Sequence, residues 1–192
     1  MSKILSAKPV REGRVVVIMG PPNAGKDTQA HKLAKRIGGE YIGSGELIRA
    51  EAEPRLMAIM ARGDLIPEED FTRLIGQAII EVPVQHPIVM AGITKKPAEA
   101  EWLTEFLPTV GRWLDRVIYL SLNQTISVDR SGQRGKGRDD DHPGVQDRRW
   151  HRFFTDTAQS LEFFRGLGVL VEIDGSRTIQ EVETEIDRVL SI

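Results

Sequence analysis

The chain has 192 residues, no cysteine and a formal net charge of −2 from 26 basic and 28 acidic side chains. The near-neutral balance argues against a sequence-independent nucleic-acid surface, and the lack of cysteine excludes disulfides and thiolate metal sites. The length suits a single domain, residues 1–192, with small insertions and a full core. No apolar run approaches membrane-spanning length, and the opening MSKILSAKP lacks the apolar centre of a signal peptide. A cytoplasmic protein with no membrane partner is therefore expected.

Residues up to about 13 read as a loose leader. RVVVIM at 14–19 reads as a buried parallel strand, and a helix follows from Thr28. Between them lies GPPNAGKDT, Gly20 to Thr28. Strand, GxxxxGK turn and helix form a phosphate-binding loop. The glycines let backbone N–H groups turn toward an anion, and the helix N-terminus adds its positive dipole end. Lys26 places an ammonium against the outer phosphates. The general pattern has Ser or Thr directly after the lysine, to hold magnesium; here Asp27 stands there and Thr28 comes one later.

Short apolar runs then alternate with amphipathic stretches. Residues 40–42, 87–91, 116–122 and 168–173 read as strands. Residues 178–190 carry Ile179, Val182, Ile186, Val189 and Leu190 at helical spacing. Strands alternating with helices predict an α/β fold, a five-stranded parallel sheet with helices on both faces. Ligands of such sheets bind beyond the carboxyl ends of the strands. The loops after Met19, Ile42, Ala91 and Leu122 should therefore share one cleft.

Two stretches fit the alternation less well. Residues 43–82 hold short helical pieces punctuated by Pro54, Gly63 and Pro67, and read as a helical insertion. Residues 131–143, SGQRGKGRDDDHP, are polar, glycine-rich and charged, and read as a short lid over the site.

Taken together, these segments resemble the adenylate kinase family of nucleoside monophosphate kinases, of the short-lid type and the P-loop NTPase fold. GPPNAGKDTQA is similar to that family's GPPGAGKGTQ, with Thr28 in the family place. YIGSGELIR at 41–49 resembles HISTGDLLR, and GDLIP at 63–67 resembles GKLVP. VDRSGQR at 128–134 and GRDDD at 137–141 resemble the lid-flanking motifs, with Arg149 at the later arginine. The resemblance implies that Gly20, Asn23, Ala24, Gly25, Lys26, Asp27, Thr28, Arg130, Arg134 and Arg177 bind ATP. It implies that Ser44, Arg49, Asp64, Leu65, Ile66, Gly92, Lys95, Glu99, Arg138 and Arg149 bind AMP. Lys26, Lys95, Arg138 and Arg149 are then the catalytic cations. Moving a phosphoryl group requires converging cations on parts that can close and exclude water, so the chemistry supports the same set.

The sequence also departs from that family. Ala91 stands where the resemblance implies a strand-end aspartate that orients magnesium's waters. Lys95 replaces an arginine, which keeps the charge but loses the fork. Glu99 replaces a glutamine that reads adenine; a carboxylate only accepts hydrogen bonds and matches guanine's two adjacent donors better. Asn23 replaces a loop glycine, and asparagine tolerates a left-handed backbone. Asp27 either orders magnesium through water or simply sits at a helix N-terminus where carboxylates are favoured. No direct metal ligand is assigned.

The expected activity is direct transfer from magnesium-bound ATP to AMP, by a monomer with no nucleic-acid partner. A UMP/CMP or GMP kinase of the same family, or a catalytically impaired nucleotide-binding homologue, are the alternatives.

Overall fold

The computed structural model describes residues 12–133 and 143–192. Five parallel strands, β1 (Arg14–Met19), β2 (Glu40–Gly43), β3 (Ile88–Ala91), β4 (Trp113–Ser121) and β5 (Leu170–Asp174), lie in the order β2-β3-β1-β4-β5. The fold is the expected P-loop α/β architecture. β1 is central: Val17 pairs with Met90 on one side and with Val117 on the other. All six of its residues are buried, as an apolar run covered on both faces requires.

Alternate β1 side chains feed two cores. Val15, Val17 and Met19 pack with Met90, Leu103, Leu107 and Phe164 on one face. There the cover is α4 (Glu68–Glu81), α5 (Pro97–Thr109) and α8 (Ala158–Gly166). Val16 and Ile18 pack with Leu33, Ala34, Val182 and Ile186 on the other. These come from α1 (Lys26–Ile37) and α9 (Ile179–Leu190). α9 starts on a capping box, with Thr178 Oγ1 accepting from the Glu181 N–H and the Glu181 carboxylate accepting from the Thr178 N–H. Lys32 and Arg36 of α1 pair with Glu183 and Asp187 of α9, holding the two helices side by side.

Between β2 and β3 run three helices, α2 (Ser44–Glu51), α3 (Pro54–Ala61) and α4, in the stretch read as a helical insertion. Pro54 opens α3 and Pro67 caps α4, where proline's missing N–H costs nothing. After β4 come α6 (Gln124–Gln133) and α7 (Pro143–Arg152). A π-helical turn, Phe153–Thr157, then joins α7 to α8.

Two boundaries differ from the sequence reading. β4 begins at Trp113 rather than 116, because Asp115 is satisfied inside the sheet by the Arg14 guanidinium at 2.6 Å. Ser131, Gly132 and Gln133, expected in the lid, lie in the last turn of α6, and Pro143, expected at the lid's end, opens α7. The lid residues 134–142, with Arg134 and Arg138, lie outside the described residues. Among the described residues, no helix is long and apolar enough to cross a membrane.

Candidate active site

The phosphate-binding loop leaves β1 at Met19 and enters α1 at Lys26. Gly25 takes φ +87° at the helix N-cap, a conformation a side chain would strain. Asn23 takes φ +61°, as its tolerance of the left-handed region allows. Its amide donates to the Ser127 carbonyl at 3.0 Å, and Ser127 Oγ donates to the Pro22 carbonyl at 2.9 Å. The loop is thereby stapled to α6. Lys26 folds over the loop, its Nζ donating to the Pro21 carbonyl at 2.7 Å.

Two hollows flank this loop. The strand-end hollow lies at the carboxyl ends of β1, β2 and β3. The sequence-selected residues Gly20, Asn23, Gly25, Lys26, Asp27, Ser44, Arg49, Asp64, Leu65, Ile66, Gly92, Lys95, Glu99 and Arg149 all line it. The Arg130 hollow is lined by Asn23, Ala24, Gly25, Thr28, Arg130 and Arg177, with the β5–α9 turn behind them. Arg130 lies flat across that turn, donating to the carbonyls of Gly175 at 2.9 Å and Ser176 at 3.3 Å. Asn23 and Gly25 face both hollows, so the phosphate loop is the wall between them.

The ends of β2 and β3 are tied together. Ser44 Oγ donates to the Gly92 carbonyl at 2.6 Å, and Lys95 Nζ donates to Ser44 Oγ at 3.5 Å. This brings Lys95 beside the phosphate loop without an arginine's fork. Thr157 Oγ1 in the π turn donates to the Lys95 carbonyl at 3.2 Å.

Glu99 has a second task that its sequence position did not disclose. It is buried, and its Oε2 accepts from the Lys95 N–H at 2.7 Å and the Lys96 N–H at 3.3 Å, capping α5. One carboxylate oxygen is therefore committed to backbone, and Oε1 takes no hydrogen bond among the described residues. Burial raises the Glu99 pKa; the Lys95 charge and the two backbone N–H donors only partly oppose this.

Sequence reasoning missed two cleft residues. Arg152 lies one helical turn beyond Arg149 and pairs with Asp64 at 2.8 Å. Its i+3 spacing from Arg149 was the available signal. The Arg62 guanidinium on the same carboxylate, together with nearby Arg152, holds Asp64 below the usual range. Tyr41 is the other: its hydroxyl donates to Asp27 Oδ1 at 3.3 Å.

A family model described as adenylate kinase matches residues 18–169. Adenylate kinase of Xanthomonas euvesicatoria pv. vesicatoria (strain 85-10) is 30% identical over 183 residues, covering 91% of this chain and 98% of its own. Adenylate kinase of Caulobacter vibrioides (strain NA1000 / CB15N) is 31% identical over 183 residues, covering 91% and 96%. The chain belongs to the adenylate kinase family.

As an adenylate kinase family member it is a phosphotransferase of the nucleoside monophosphate kinase class. Membership sharpens the departures. In this adenylate kinase family protein Asp27 meets Tyr41, Tyr41 meets Gly43 and Gly43 lies beside Ala91. Gly43 pairs with Ala91 in the β2–β3 register, and a Cβ on Gly43 would meet the Tyr41 hydroxyl at 2.1 Å.

Proposed function

We propose that this enzyme transfers a phosphoryl group from ATP to AMP, giving two ADP. The observation that carries this reading is the shared wall. Two hollows open on opposite sides of one phosphate loop, so two nucleotides would meet phosphate to phosphate across Lys26. The Arg130 hollow suits ATP's nucleoside end, and the strand-end hollow suits the monophosphate.

The chemistry asks for charge neutralisation and dryness. Lys26, Arg49, Lys95, Arg149 and Arg152 present five cations to the strand-end hollow. Arginine forks suit the monophosphate's oxygens, and Lys26 suits the transferred group. Arg134 and Arg138 are proposed to complete the set. Water would be excluded by α7, which rests on the α3–α4 loop: Arg148 Nε donates to the Arg62 carbonyl at 3.3 Å, beside the Arg152–Asp64 pair. An ionised phosphate oxygen of the acceptor can attack ATP's terminal phosphorus as the bond to the bridging oxygen breaks and ADP leaves, so in-line transfer needs no covalent enzyme intermediate and follows from holding both substrates.

Among the described residues, no cluster of three His, Cys, Asp or Glu side chains could hold a metal outright. The oxygen donors beside the loop, the Asp27 carboxylate and Thr28 hydroxyl, fit a magnesium ion that arrives on ATP and keeps most of its waters. Bound so, magnesium supplies charge neutralisation between the outer phosphates. The cysteine-free, near-neutral composition supports a cytoplasmic monomer without nucleic-acid or membrane partners.

A second reading, GMP as acceptor, is favoured by Glu99: its open Oε1 accepts and, when ionised, cannot donate to adenine's ring nitrogen. A coupled assay with ATP and AMP, GMP, CMP or UMP tests both. Fastest ADP formation with AMP supports the proposal; fastest turnover with GMP replaces it, and none with any acceptor removes the catalytic reading.

A further inference from the structure

Among the described residues, four carboxylates line the strand-end hollow: Asp27, Glu46, Asp64 and Glu99. Three are accounted for. Asp64 is held by Arg62 and Arg152, Glu99 caps α5, and Glu46 bonds His31 at 3.2 Å. Asp27 alone sits on the phosphate loop, next to Lys26.

Asp27 lies in the first turn of α1, where the helix dipole favours a carboxylate and the N-cap is Gly25. It has a long-range partner as well: it accepts from the Tyr41 hydroxyl, 14 residues away on β2, through Oδ1 at 3.3 Å. The ring of Tyr41 reaches it only because Gly43 has no side chain. A Cβ there would lie 2.1 Å from the hydroxyl and 2.6 Å from its ring carbon. The register sets Gly43 directly beside Ala91, so two minimal side chains mark the strand ends next to Asp27. Tyr41 also packs against His31, ring centroids 3.7 Å apart with the planes tilted by 31°, which restricts the phenol.

A bare carboxylate beside ATP's phosphates would repel them. Its retention needs a cation between. We infer that Tyr41 is a positioning residue that fixes Asp27 toward the water shell of ATP's divalent cation, the place a strand-end carboxylate would serve if Ala91 were acidic. This inference rests on the ATP-binding reading above. One oxygen of Asp27 is spent on the tyrosine and the other remains for a cation-bound water. The four residues then form one device: Asp27 supplies the charge, Tyr41 aims it, Gly43 admits the ring, and Ala91 leaves the space.

The test is ATP affinity of the full chain by calorimetry, in EDTA and in magnesium, with bound Mn2+ followed by electron paramagnetic resonance. In the wild type, the cation tightens ATP binding. Asp27→Asn should bind ATP about tenfold more tightly in EDTA, through relieved repulsion, and should lose the gain from magnesium. Tyr41→Phe should keep wild-type affinity in EDTA but lose part of the gain and broaden the Mn2+ signal. Adding Ala91→Asp to Asp27→Asn should restore the gain. An Asp27→Asn enzyme with the wild-type ratio of the two affinities overturns the inference while leaving the nucleotide reading intact. A Tyr41→Phe enzyme identical to wild type in both media overturns the tyrosine's role. Wild-type protein that binds no ATP in either medium overturns both readings.

Discussion

Arg152 of α7 reaches Asp64 of the α3–α4 loop at 2.8 Å, joining the helix after the lid to the helical insertion across the mouth of the cleft. Both side chains are about one-third exposed, at 38% and 32%. Such a bridge contributes only about 0.2–1 kcal/mol, which suits a contact that must break when substrates enter and products leave. Beside it, a Cβ on Gly63 would lie 3.0 Å from Val145, so the loop and α7 are in close contact.

Asp64→Asn should therefore loosen closure without unfolding the enzyme. We expect hydrogen exchange to quicken in α3, α7 and the loop between α3 and α4, and the KM for the monophosphate to rise about two- to fivefold, the equivalent of that bridge. Salt at about 0.5 M should produce a similar rise in the wild type and little further rise in the variant. Equal salt sensitivity in both would mean the pair does not govern closure.

Lys26→Ala should lower kcat by about 10²–10³-fold or more, the scale of losing one charge-stabilising donor. Its midpoint of thermal unfolding should stay near wild type, because the side chain is half-buried on a loop rather than packed in either core. Near-normal turnover would remove the phosphate-loop assignment.

Glu99 makes acceptor choice depend on pH. Burial favours its neutral form above the ordinary glutamate range, against the opposing charges of Lys95 and Lys96. The neutral acid, with its proton on Oε1, can donate to adenine's ring nitrogen as an amide would; the anion can only accept. Lowering the pH through this titration should therefore improve kcat/KM for AMP relative to GMP, and raising it should do the reverse. Glu99→Gln should keep the α5 cap through its carbonyl oxygen, raise the AMP:GMP ratio and flatten its pH profile. A ratio that still follows pH in Glu99→Gln would assign the effect to another group.

Gly43→Ala tests the close approach at the strand end. The added Cβ must displace the Tyr41 ring, and strain of this kind costs about 1–3 kcal/mol. The variant should melt several degrees lower, and adding Tyr41→Ala should relieve most of the loss attributable to the clash. Tyr41→Phe should not relieve it, because the ring carbon itself lies 2.6 Å from the place that Cβ would take. Independent, additive losses in the double variant would show that the two positions do not meet.

Local patterns made the sheet and the phosphate loop legible. RVVVIM has no polar position to expose beyond its first, so burial on both faces follows, and Asn23 could be expected at positive φ from its chemistry alone. What stayed hidden depended on distant partners. The charge of Asp115 broke the apolar run of β4, and only Arg14 across the sheet makes that charge acceptable. Glu99 looked like a ligand reader because its position suggested one; that one of its oxygens caps a helix is a matter of backbone geometry. Arg152 resembles one more solvated arginine until α7 turns it toward Asp64. Tyr41 carried no signal of its own, since its meaning lies in the missing side chain of Gly43.

The π turn at Phe153–Thr157 makes this part of the chain sensitive to length rather than to identity. α8 is anchored by Phe164, which is fully buried, while α7 presents Arg149 and Arg152 to the cleft. A π turn holds one residue more than the ordinary helical turn it replaces. Deleting one of those five residues would let the segment close as plain α-helix and swing α7 by about 100° relative to α8. Both arginines would then rotate away from the cleft while Phe164 still anchors α8. Divergence at this joint should thus proceed by exchange of residues, with gaps and insertions purged, because a frame of one residue here separates a working enzyme from a well-folded idle one.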